Sequence, residues 1–160
     1  MNAAGIRELK KELQLRTNTQ LIDLCLRMAK FKKETKELLT YLLFEASNEE
    51  AYRDTIKEEI EERFSEMNKT SYYYSKKGSR KILRDTKKYI RYSKNPETDV
   101  DLLIYFCQQM MEQVPTYKRS SVLKGIIERE IISIKKKMSK LHEDLQYDYG
   151  LEVLNIEEKL

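Results

Sequence analysis

Four Gly and two Pro are the only strong breakers in a chain of 160 residues. In a helix interior Gly is about 1 kcal/mol and Pro about 3 kcal/mol less favourable than Ala. A chain poor in both, and rich in Leu, Ile, Lys and Glu, is free to run in long helices, so an all-α fold is expected. Only LEVLNI, Leu151 to Ile156, reads like a strand, and it is short. The length suits one domain, residues 1–160, with a real core.

Apolar spacing divides the chain into about seven helices. The first runs from about Ala4 to Gln14 on Ile6, Leu9 and Leu13. Thr17 with Gln20 three residues later forms a capping box and opens the second, which carries Leu21, Leu24, Cys25 and Met28. The third, KKETKELLTYLLFEA, is apolar nearly all round from Leu38 to Phe44 and is expected to be buried on several sides. Ser47 with Glu50 reads as another capping box. It opens a fourth helix with one narrow stripe: Tyr52, Ile56, Ile60, Phe64 and Met67. The fifth spans Ser71 to Ser93. Asn95 and Pro96 cap and start the sixth, and the acids Glu97, Asp99 and Asp101 suit its positive N-terminal end.

The seventh helix is expected to run unbroken from Lys118 to Tyr149, with Gly150 as its C′ residue and 150–160 as a tail. Ile127, Ile131, Ile134, Met138, Leu141 and Leu145 then form a heptad seam. That seam either packs inside a monomer or zips a homodimer through helix 118–149.

Two matches share an offset of 64 residues. Cys25-Leu26-Arg27-Met28-Ala29-Lys30 faces Tyr89-Ile90-Arg91-Tyr92-Ser93-Lys94, and Glu37-Leu38-Leu39-Thr40-Tyr41 faces Asp101-Leu102-Leu103-Ile104-Tyr105. The offset implies repeat units at about 18–68 and 71–149, and it places a turn at Phe31–Lys33 where nothing else marks one. Right-handed stacked helical hairpins of a HEAT-like α-solenoid would repeat in this way. A compact helical domain with a pseudo-repeat fits equally.

Catalytic signatures are thin. His142 is the only histidine, so neither a helical zinc-protease motif nor a pair of Glu-x-x-His iron sites can be assembled. It reads as a partly exposed structural residue. The glycines are isolated and form no phosphate loop. Cys25 and Cys107 sit among apolar neighbours and are expected to be reduced core residues. Glu58, Glu62 and Glu66 share one helical face, which reads as a solvated surface. A non-enzyme without cofactor or metal is expected. The N-terminus lacks an apolar leader, and no apolar run approaches the ~18 residues of a membrane span. The expected location is cytoplasmic, with no membrane partner.

Charge is uneven. Residues 1–70 hold 13 basic and 14 acidic side chains, and residues 71–160 hold 18 and 13. On the fifth helix, Lys76, Lys77, Arg80, Lys81, Arg84, Lys87, Lys88, Arg91 and Lys94 fall on one acid-free arc, with Tyr73 at its centre. Ile82, Leu83, Thr86 and Ile90 fall on the other side, and Ser75, Gly78 and Ser79 leave room for a close neighbour. Cations beside aromatic rings suit phosphate neutralisation and base stacking. Lys76, Lys77, Arg80, Lys81, Arg84, Lys87, Lys88, Arg91 and Tyr73 are therefore the candidate anion- or nucleic-acid-binding residues. Against this, the fourth helix carries nine acids and three basic residues from Glu45 to Glu66 and could neutralise the arc. The leading expectation is a helical-repeat scaffold that binds another protein. A nucleic-acid or polyphosphate binder is the alternative.

Overall fold

The structure is a computed structural model, and it describes residues 2–160. Every regular element among the described residues is helical, with eight α-helices. The chain falls into two compact units divided between Phe44 and Glu45.

The first unit contains α1 (Ile6–Gln14), α2 (Asn18–Phe31) and α3 (Lys33–Thr40). Thr17 caps α2 as its sequence implies: its Oγ1 accepts from the Gln20 amide at 3.3 Å, and Gln20 Oε1 accepts from the Thr17 amide at 3.0 Å. Lys32 alone, in extended conformation, separates α2 from α3, so the turn lies where the 64-residue offset places it. A π turn, Tyr41–Glu45, follows.

Tyr41 is the only buried residue described in this unit. The expectation of a third helix buried on several sides is therefore wrong. Leu38 and Leu39 are half-buried, and Leu42, Leu43 and Phe44 are exposed. The physical reason is a lack of neighbours, because α2 is the one helix packed closely against α3 within the unit. Cys25 is likewise exposed rather than in a core.

The second unit is built around α6 (Pro96–Gln113), which packs against α4 (Glu49–Glu66), α5 (Tyr72–Ser93), α7 (Ser121–Met138) and α8 (Glu143–Lys159). Its broadly apolar sequence matches that place. Val100, Leu102, Leu103, Phe106, Cys107 and Met110 are fully enclosed. On α4 the stripe Tyr52, Ile56, Ile60 and Phe64 is buried, and the Phe64 ring lies 5.5 Å from that of Phe106. Each such side chain contributes about 1.5–3 kcal/mol of burial. The α4 cap is Asn48, not Ser47; its Oδ1 accepts from the Ala51 amide at 3.1 Å. Ser71, read in sequence as the first residue of the fifth helix, is the cap of α5, and Asn95 with Pro96 opens α6 as expected.

The long seventh helix does not exist. Pro115–Arg119 is a 3-10 turn, Ser120 caps α7, and the chain breaks at Ser139. His142 then caps α8, its Nδ1 accepting from the Asp144 amide at 3.4 Å, with Glu143 and Asp144 in the first turn. Gly150 lies inside α8, so it is not a C′ residue, and the strand-like tail 150–160 is helix. α8 doubles back along α7: Lys135 pairs with Glu157 at 2.6 Å, and the Tyr117 hydroxyl donates to the Lys159 carbonyl at 3.1 Å. The fold-back buries Val153 and Ile156. Of the heptad seam only Ile127, Ile131 and Ile134 are buried, and all belong to α7. A homodimer through a continuous helix 118–149 therefore has no such helix to use.

Candidate functional site

α5 buries Ser75, Ser79, Ile82, Thr86 and Ile90, spaced four, three, four and four, which leaves the opposite face to the cations. Gly78 permits a close approach at the start of this helix. A Cβ there would lie 2.0 Å from Met67 Sδ, so the end of the α4 stripe rests on α5 backbone.

Of the candidate residues, Lys77, Arg80, Lys81 and Arg91 are exposed, and none forms an ion pair among the described residues. Arg84 is exposed and reaches only its neighbour Asp85, at 3.6 Å. Lys76 and Lys88 are half-buried. The Lys76 ammonium lies 5.3 Å from the Tyr72 ring centroid, and that of Lys88 lies 4.7 Å from Tyr89. Tyr73 is exposed and meets Tyr74 edge-on at 5.5 Å. Lys87 differs from the rest. Its ammonium donates to Glu130 Oε1 of α7 at 2.7 Å.

Among the described residues no carboxylate of the acidic fourth helix pairs with Lys77, Arg80, Lys81, Arg84 or Arg91. Where α4 meets α5 the expected charges are exchanged: Arg63 of α4 donates to Asp85 of α5 at 2.5 Å, and the Tyr89 hydroxyl donates to Glu59 at 2.9 Å. Burial alone would raise the Asp85 carboxyl, but the Arg63 guanidinium outweighs it and holds the group below the ordinary carboxylate range. Glu58, Glu62 and Glu66 point to solvent. Among the described residues no three His, Cys, Asp or Glu side chains converge as a metal site.

Several polar groups go unmarked in the sequence reading. Glu130 is 5% exposed, and its Oε2 has no hydrogen-bond partner among the described residues. The one signal for it is an acid set between Ile126, Ile127 and Ile131, Ile134. Glu49 Oε2 accepts from Ser93 Oγ at 2.8 Å and Thr98 Oγ1 at 2.6 Å, tying α4 to α5 and α6. The acids at the α6 N-terminus also meet partners: Arg53 pairs with Glu97 at 2.7 Å, Lys57 with Asp101 at 2.8 Å and Lys137 with Asp99 at 2.5 Å.

The perturbed thiol and phenol titrations favour the protonated forms. Burial, with Glu130 adding to it, pushes the Cys107 thiol far up. Burial raises the Tyr149 hydroxyl, and it lifts Tyr105 to about 12 together with a hydrogen bond to Glu61.

The first unit holds surface that sequence reading did not single out. Between α1 and α2 lies a groove of about 570 Å³ floored by Leu9, Leu13, Leu24 and Met28, with Glu12, Arg16, Asp23 and Arg27 around it. A second groove, of about 590 Å³, lies between α2 and α3. Their apolar residues look like core in sequence, which is why neither surface was visible there.

Comparison with protein-family models, curated proteins and solved structures finds no match for this chain. No helix among the described residues is long and apolar enough to cross a membrane.

Proposed function

We propose that the chain is a non-enzymatic, all-helical interaction protein that binds another protein, with residues 6–44 as its docking part. One observation carries this reading. Ile6, Leu15, Ile22, Met28, Phe31 and Phe44 are all more than half exposed, whereas α6 buries Val100, Leu102, Leu103, Ile104, Phe106, Cys107 and Met110. Leu9, Leu13, Leu24 and Met28 line one groove and Leu26, Phe31, Leu39, Leu43 and Phe44 another, and apolar side chains that share an open surface mark a site that another molecule covers. The shared Arg, Lys and Leu-Leu positions at the 64-residue offset support reading α2–α3 as a hairpin of the same kind as α5–α6. The tagged 160-residue chain should retain a partner through a high-salt wash. The double variant Leu26→Asp/Leu43→Asp should lose that partner with an unchanged far-UV circular dichroism spectrum. A partner held equally by both proteins contradicts the reading.

A second reading rests on a different observation, the exposed cations Lys77, Arg80, Lys81, Arg84 and Arg91 of α5. A nucleic acid or polyphosphate bound there would be released steeply by salt, with a log–log slope of about −0.7 to −0.9 per phosphate neutralised. Arg80→Glu, Lys81→Glu, Arg84→Glu and Arg91→Glu together should abolish binding and preserve folding. Lys87 is left out of that set because it holds Glu130. Absence of RNA and DNA binding by the unaltered chain at low salt ends this reading.

A further inference from the structure

The groove between α2 and α3 has a composition that specifies its occupant. Its walls are Leu26, Phe31, Leu39, Leu43 and Phe44, with Ala29 and Thr40 between them. Its ionisable lining residues are Lys30, Lys32, Lys33 and Lys36; no Asp or Glu lines it. All four lysines are exposed. Lys33 makes a 3.6 Å contact with Glu37 while its own side chain stays 89% exposed, so that carboxylate does little to neutralise the rim. Lys30, Lys32 and Lys36 form no ion pair among the described residues. Across Arg27 to Lys36 the sequence carries five basic residues and one acid.

We propose that this groove seats an amphipathic helix of a partner protein whose apolar row is flanked by Asp and Glu. The inference rests on the protein-docking reading above and adds the chemistry of the partner. At about 590 Å³ the groove lies in the ~300–1,000 Å³ range of ordinary binding pockets. A trough between two helices accepts the side-chain ridge of a third. An incoming helix would anchor through residues at i, i+3 or i+4, and i+7. Lysine stems extend the apolar walls while their ammonium groups stay at the rim, where flanking carboxylates would meet them. Lys30, Lys32 and Lys33 surround the α2–α3 turn, and Lys36 lies one helical turn beyond. The partner's acids are therefore concentrated at one end of its apolar row. A concave trough suits a helix better than the plane of a lipid surface, which asks for a protruding apolar face.

The test uses the full chain and two synthetic helical peptides with the same leucine row, one flanked by Glu and Asp and the other by Lys. Vesicles of phosphatidylcholine with phosphatidylserine form a third arm, and sedimentation of the protein alone a fourth. The acidic peptide should bind at least about tenfold tighter than the lysine peptide. Lys30→Glu/Lys32→Glu/Lys33→Glu/Lys36→Glu should invert that preference, and Leu43→Asp should weaken both peptides. Inversion by the quadruple variant requires a folded groove, so it controls for misfolding. An unchanged preference, or binding to vesicles in place of either peptide, overturns the proposal. If neither peptide binds and the protein self-associates in a way that Leu43→Asp abolishes, the occupant is a second copy; the acidic helix is then refuted while docking stands. If peptides, vesicles and a second copy all fail to bind, the docking reading falls with it.

Discussion

Lys87 and Arg80 carry the same charge on the same helix yet hold different positions. Arg80 is solvent-exposed, whereas Lys87 is, among the described residues, the only partner of a carboxylate that is almost wholly enclosed. Removing one member of such a pair leaves a charge without compensation in a low-dielectric site, which costs more than the pair contributes. Lys87→Met should destabilise the second unit by about 2 kcal/mol, a figure kept low because the Lys87 end is partly solvated. Lys87→Met/Glu130→Met should recover most of that loss, and Arg80→Met should change little. Urea denaturation at neutral pH measures all three. A single Lys87→Met variant as stable as the parent would show that Glu130 does not depend on it. Sequence patterning places both residues on one cationic arc and cannot separate them, because the distinction is made by an acid 43 positions away.

At the scale of elements, legibility followed local chemistry. The α4 stripe, the Thr17 cap, the Asn95-Pro96 start and the buried face of α5 are all written within a few residues of one another. They were readable for that reason. The break between α7 and α8 was not, because Ile127 to Leu145 keeps an apolar period straight through it. The competing signal was there: His142 followed by Glu143 and Asp144 is a polar cap with acids in the first turn. An uninterrupted heptad is the stronger local signal, but in the structure the segment beyond Ser139 folds back and buries Val153 and Ile156 against the α6 and α7 side of the unit. The opposite error occurred in α3. Leu42, Leu43 and Phe44 have the composition of a core, and burial depends on neighbours that the segment itself does not encode. The candidate cationic face was legible as an arc. Its pairing was not, since that depends on which rotamers meet across α4, α5 and α7.

For the molecule as a whole, the two units differ in what holds them. The second has a central helix covered by four others. In the first, helices of 9, 14 and 8 residues bury almost nothing. Isolated helices shorter than about 12–15 residues are marginal in water, so such a segment gains most of its stability from whatever covers it. Stability should therefore be unevenly distributed along the free chain, with opening free energies near the global value in α6 and far smaller in α1–α3. Native-state amide hydrogen exchange on the 160-residue chain tests this most directly. The account predicts that amides of α2 and α3 exchange at least about a hundredfold faster than those of α6. If α2 and α3 were protected as strongly as α6, their apolar surface would already be covered in the free protein, and residues 6–44 would not be a docking part.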